Sequence, residues 1–122
     1  MADQQTVLVN LATGLDDAER VTVAFLVGGA AAEQGKEVTM FLTKEAVRLG
    51  LPGYADAVAC EGCPPLAGLV QQFAESGGRL LVCPICFEAR KLDKDALAGN
   101  AELGGATPLW TWIGDGATVF SY

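Results

Sequence analysis

The chain has 122 residues, half of them hydrophobic, and carries 15 acidic against 8 basic side chains with no histidine. That length suits one domain with a real core, and the composition argues against disorder. A net charge of −7 disfavours nucleic acid as a partner, because phosphate binding needs a basic surface. Without histidine there is no Cys–His or Ser–His catalytic pair, and no zinc site that uses imidazole.

Thr6 to Leu11 (TVLVNL) is a β-rich apolar run and the expected first, central strand. Thr13-Gly14-Leu15 turns the chain. Asp16-x-x-Glu19 resembles a capping box with Asp16 at the cap, leading a helix to about Gln34 with Gly35 as its stop. The acids after Gly14 would repel a phosphate, so no nucleotide site is expected there. Val21, Ala24, Phe25, Gly28 and Ala32 form one helical stripe, but Val23, Leu26, Val27 and Ala30 lie on the other sides. Such a helix buries more than one face, and in a small domain a second subunit is the expected cover. Gly28-Gly29 permits close approach to a neighbouring element.

Glu37 to Thr43 (EVTMFLT) reads as a strand buried on both faces. Lys44 to Leu49 forms a short helix with Thr43 at its cap. Gly50 to Pro65 is an irregular segment holding Cys60-Glu61-Gly62-Cys63. Leu66, Leu69, Val70 and Phe73 mark an amphipathic helix that ends at Gly77-Gly78. Arg79 to Val82 is a strand, and Cys83-Pro84-Ile85-Cys86 follows it, with Pro84 suited to the first turn of a helix. Asp93 to Leu97 is a further short helix. Ala101 to Ala106 contributes a short strand, Leu109 to Ile113 a short helix that buries its tryptophans, and Ala117 to Ser121 the closing strand. This alternation predicts a parallel sheet with helices on both faces. No apolar run is long enough to span a bilayer. The polar start Met1-Ala2-Asp3-Gln4-Gln5 has no secretory character, so a cytoplasmic location is expected.

Cysteines in a reducing compartment are reactive or metal-binding more often than structural. Here the pattern is Cys60-x2-Cys63-x19-Cys83-x2-Cys86, which fits the spacing of a four-cysteine zinc site. In a right-handed βαβ layout both pairs fall on the carboxyl edge of the sheet, where ligands and chemistry collect. Three readings stay open. Cys83 is a nucleophile that carries or exchanges sulfur, activated by a helix N-terminus, with Arg90 and Lys91 as nearby cations and Cys86, Cys60 and Cys63 resolving it. Alternatively, Cys60, Cys63, Cys83 and Cys86 hold zinc or, less readily, an iron–sulfur cluster in a structural or interaction module. Or the cysteines are small buried residues without chemistry. Glu61 and Glu88 are weaker candidates for moving protons.

The stretch VLVNLATGLDDAERVTVAFLVGGAAAEQGKEVTMFLTKEAV, the Leu66–Gly77 helix, VCPICFEAR and the terminal strand together resemble the DsrE/DsrF-like family over nearly the whole chain. The resemblance implies a three-layer α/β/α sandwich with a mainly parallel sheet of about five strands, and a homo-oligomer. It implies persulfide transfer through the cysteine after the third strand, which is Cys83, with a sulfur donor or acceptor protein as partner and no cofactor. Cys86, Cys60 and Cys63 depart from a single carrier cysteine and leave thiol–disulfide redox chemistry or metal binding open.

Overall fold

The computed structural model describes residues 5–122, so the polar start Met1–Gln4 lies outside the described residues. Five strands pair in the order β4-β3-β2-β1-β5, every pair parallel. They are β1 (Thr6–Leu11), β2 (Glu37–Leu42), β3 (Arg79–Val82), β4 (Ala101–Leu103) and β5 (Thr118–Ser121). The helices are α1 (Ala18–Glu33), α2 (Leu66–Glu75), α3 (Pro84–Ala89) and α4 (Ala106–Ile113). Short 3₁₀ turns cover Lys44–Gly50, Tyr54–Ala57 and Lys94–Ala96.

The period-2 alternation of the strands decides the layers. Val38, Met40 and Leu42 on β2 register with Leu80 and Val82 on β3 and with Val7, Val9 and Leu11 on β1, and all are buried. On this face α1 and α2 pack side by side, with Phe25 and Phe73 meeting edge to face at 5.7 Å. Gly28 earns its place here, since a Cβ would sit 2.6 Å from Met40 Cε. Gly29 has open space around it. The opposite face carries Thr39, Phe41 and Leu81. The return from β4 to β5 runs back across the sheet, and a right-handed crossover then puts α4 on this second face.

That second layer is thin. Leaning over β2, β3 and β4, α4 encloses a cleft of about 520 Å³ lined by Thr39, Leu81, Pro108, Thr111 and Trp112. The expectation that this helix buries its tryptophans is therefore corrected. Trp110 is 71% exposed and no residue of α4 is buried. Eight residues are too few to cover a five-stranded sheet, and Val119 on β5 is left 54% exposed.

The cap of α1 is also one residue later than the sequence suggests. Asp17 accepts from Arg20 N at 3.0 Å, whereas Asp16 accepts from Gly14 N at 2.7 Å and so tightens the preceding turn. Both acids satisfy orphan amides, at a helix end and in a turn respectively. Gly35, with φ +88°, ends the helix as expected.

Gly78 is the tightest point of the core. A Cβ there would lie 2.3–2.5 Å from three atoms of the Phe73 ring, which is fully buried. Burial against Phe25 leaves the ring little room to withdraw. Gly78→Ala should therefore lower stability by about 1–3 kcal/mol, the usual cost of overpacking, measured by urea unfolding. An unchanged midpoint would show that the helix-to-strand turn shifts freely.

Candidate functional site

Cys83 sits where β3 becomes α3, and its main chain is fixed on both sides. Its N–H donates to Leu42 O at 3.0 Å, which extends the parallel ladder one rung beyond the strands. Its carbonyl accepts from Phe87 N at 3.0 Å, the first bond of the helix. Cys83 is thus the N-cap, with extended φ and ψ of −63° and 118°, and Pro84 follows at the position where a missing N–H is harmless. The Cys83 side chain makes no capping hydrogen bond. Phe87, fully buried, pins the helix to the core.

Cys83 and Cys86 are both free thiols and both half-buried. Ile85 between them is 80% exposed.

Arg90, expected as a cation beside the thiols, is engaged elsewhere. Its Nε donates to Glu45 Oε2 at 2.7 Å, and its Nη1 donates to Cys86 O at 3.2 Å. Glu45 also accepts from Arg48 Nε at 3.0 Å. One carboxylate therefore ties the turn after β2 to the end of α3. The Arg90 and Arg48 guanidinium groups, with Arg90 the stronger influence, hold the Glu45 carboxyl below the usual glutamate range. The Glu45–Arg90 pairing was not legible in the sequence, since the two lie 45 residues apart. The Gly14 loop closes over the same turn, and a Cβ on Gly14 would lie 2.8 Å from Glu45 O.

The other two cysteines are bonded to each other. Cys60 and Cys63 form a disulfide with a Cα–Cα distance of 5.3 Å. Among the described residues, no group of three or more His, Cys, Asp or Glu side chains gathers where one ion is held. In this structure the two cysteine pairs do not gather on one centre. Sulfurs paired in a disulfide are not thiolate ligands, so this structure does not assemble the Cys60, Cys63, Cys83, Cys86 zinc site. Asp16 and Asp17 act as turn and helix caps. Glu61 and Glu88 are exposed.

The reversal of strand order lies between β1 and β5, not at β3. Tyr122 bridges that junction: its N–H donates to Asn10 O at 2.8 Å, and its carbonyl accepts from Thr13 Oγ1 at 3.0 Å. The free thiols therefore stand one strand beyond the sheet centre, and what marks their place is the strand–CPIC–helix sequence.

A family model described as the DsrE/DsrF-like family matches residues 6–122. The uncharacterized protein MJ0760 of Methanocaldococcus jannaschii is 29% identical over 101 residues, which cover 83% of this chain and 37% of that protein. The chain thus spans little more than a third of the length of the curated relative it matches. Two solved structures share the fold. The ychN protein from E. coli superposes with a TM-score of 0.78 at 20% identity, covering 98% of this chain and 100% of that one. Protein MTH1491 of Methanobacterium thermoautotrophicum gives 0.68 at 15% identity, with the same coverage.

The Glu45 bridge has a defined pH signature. A carboxyl whose folded pKa is lowered contributes stability above its ordinary value, about 4.3, and that contribution is lost as pH falls through the lowered value. Glu45→Gln should thus cost stability at pH 7, by about 1 kcal/mol for a partly exposed pair, and progressively less as pH falls below the ordinary glutamate range. Urea unfolding at pH 7 and at a series of acidic pH values checks this. A cost that does not fall with pH would mean that the charge is irrelevant.

Proposed function

The chain belongs to the DsrE/DsrF-like family, and on that premise we propose that it carries sulfane sulfur on Cys83. The observation that supports this most directly is the rigid strand–helix seat of Cys83, half-open to solvent beside a second free thiol. A nucleophile needs a fixed backbone and an open sulfur. The ladder bond to Leu42 and the helix bond from Phe87 supply the first; the half-burial supplies the second.

In this reading the Cys83 thiolate attacks the outer sulfur of a donor persulfide, R–S–SH. The S–S bond of the donor breaks, R–S⁻ leaves, and Cys83 carries –S–SH. Two outcomes follow. A partner thiolate attacks the outer sulfur and takes it, regenerating Cys83. Or the Cys86 thiolate attacks Cys83 Sγ, forms a Cys83–Cys86 disulfide and expels hydrosulfide, so that the two thiols supply the two electrons that reduce the sulfane sulfur. A dithiol reductant then resets the pair. The exposed Ile85, between the two cysteines in sequence, gives a donor or acceptor protein an apolar foothold.

The reading places the protein in the cytoplasm as a homo-oligomer. Among the described residues no helix is long and apolar enough to cross a membrane. Val23 and Leu26 on the outer side of α1, and Trp110 and Val119 on the thinly covered face, are apolar and open to solvent. A second copy is the partner proposed for them.

Cysteine variants separate the two half-reactions. Treatment with a polysulfide should add about 32 Da, one sulfur, to wild type and to Cys86→Ser, and nothing to Cys83→Ser. Reagent-free hydrosulfide release from the loaded protein should occur in wild type and be lost in Cys86→Ser. Loading of Cys83→Ser at the wild-type level would overturn the assignment.

A further inference from the structure

We infer that Cys60–Cys63 is a second, independent redox centre, a dithiol/disulfide couple that exchanges with an external dithiol. The two CxxC motifs stand in opposite oxidation states in the same molecule: Cys60 and Cys63 are bonded, Cys83 and Cys86 are free. Local backbone suits the Cys60–Cys63 bond, since Cys60-Glu61-Gly62-Cys63 is a reverse turn. Cys63 N donates to Cys60 O at 3.1 Å, and Gly62 takes the φ of +81° that the third turn position requires. That turn brings the Cα atoms to 5.3 Å, within the range a disulfide spans without backbone movement.

The same turn makes the disulfide dispensable for the fold. The backbone hydrogen bond and Gly62 already close it, and a bridge between residues three apart restrains the unfolded chain least. The reduced state also has a seat. Cys60 Sγ lies 3.9 Å from Thr22 Oγ1, and the Thr22 hydroxyl donates its own hydrogen to Ala18 O at 2.7 Å. An oxygen so committed faces the sulfur with a lone pair, so a reduced Cys60 donates its S–H there. Cys63 is half-exposed beside the exposed Glu61 and Gly62, within reach of a reductant.

The exchange balances. One thiolate of the external dithiol attacks Cys63 Sγ, the Cys60–Cys63 bond breaks, and Cys60 leaves as thiolate and takes up a proton. The second thiol of the reductant then attacks the mixed disulfide, expels Cys63 as thiolate, and closes its own disulfide. Two electrons and two protons pass to the protein. Nothing in this sequence uses Cys83 or Cys86.

The test uses the full chain with Cys83→Ser and Cys86→Ser, so that failure of the sulfur-carrier reading does not bear on it. The protein is equilibrated without air in mixtures of reduced and oxidised dithiothreitol, quenched in acid and alkylated. Peptide masses then report Cys60 and Cys63, and circular dichroism reports the fold. The expected result is that both thiols appear and disappear together, reversibly, with the folded spectrum unchanged. Replacing either Cys60 or Cys63 with serine should abolish the transition. Resistance to reduction until denaturant is added would make the bridge structural and overturn the inference. Loss of the fold on reduction, or two thiols that persist in the most oxidising mixture, would overturn it equally.

Discussion

The hydrogen bond from Cys83 N to Leu42 O is the constraint on which the site depends. It is the last rung of a parallel ladder, and it exists because β2 and β3 are in register from Thr39–Arg79 to Leu42–Val82. One residue further on, Pro84 starts the helix. A slip of one residue would send Leu80 and Val82 to the thinly covered face and turn Leu81 inward. The buried face therefore fixes where Cys83 stands, and Cys83 needs no contact of its own to be held there.

Rigid support arrives from the far side as well. Phe87 anchors α3 below, and the Glu45–Arg90 pair anchors its end. The glutamate belongs to the turn that follows β2, the strand that also supplies Leu42 O. Cys83 is thus bracketed twice by one neighbour, by backbone at the ladder and by charge at the helix end. The loop cysteines stand apart from this frame, in a turn with its own closing hydrogen bond and its own disulfide. Two cysteine pairs in one domain need not share a task, and here one is bonded while the other is free.

Much of this was legible in the residues. Thr6–Leu11 and Arg79–Val82 are strands with the boundaries their apolar runs imply, and Cys83-Pro84 is the strand–helix junction its turn chemistry implies. Such features depend on neighbours in the chain. What was not legible depends on distant partners. The Cys60–Cys63 bond takes both sulfurs out of the zinc pattern that spacing alone suggests. Arg90 turns to Glu45, which periodicity does not pair with it. Trp110 of α4 stays open because that eight-residue helix covers little of its face of the sheet. The two adjacent acids before α1 each satisfy a capping rule, and only the Gly14 N–H decides that Asp16 serves the turn and Asp17 the helix.

The most direct test of the central claim is to locate the sulfane sulfur itself. Protein treated with polysulfide, trapped with a persulfide-specific alkylating reagent and digested, should yield the modified peptide that contains Cys83, with the extra sulfur on that residue in preference to Cys86. Recovery of the sulfur on Cys60 or Cys63, with the Cys83 peptide unmodified, would contradict the account.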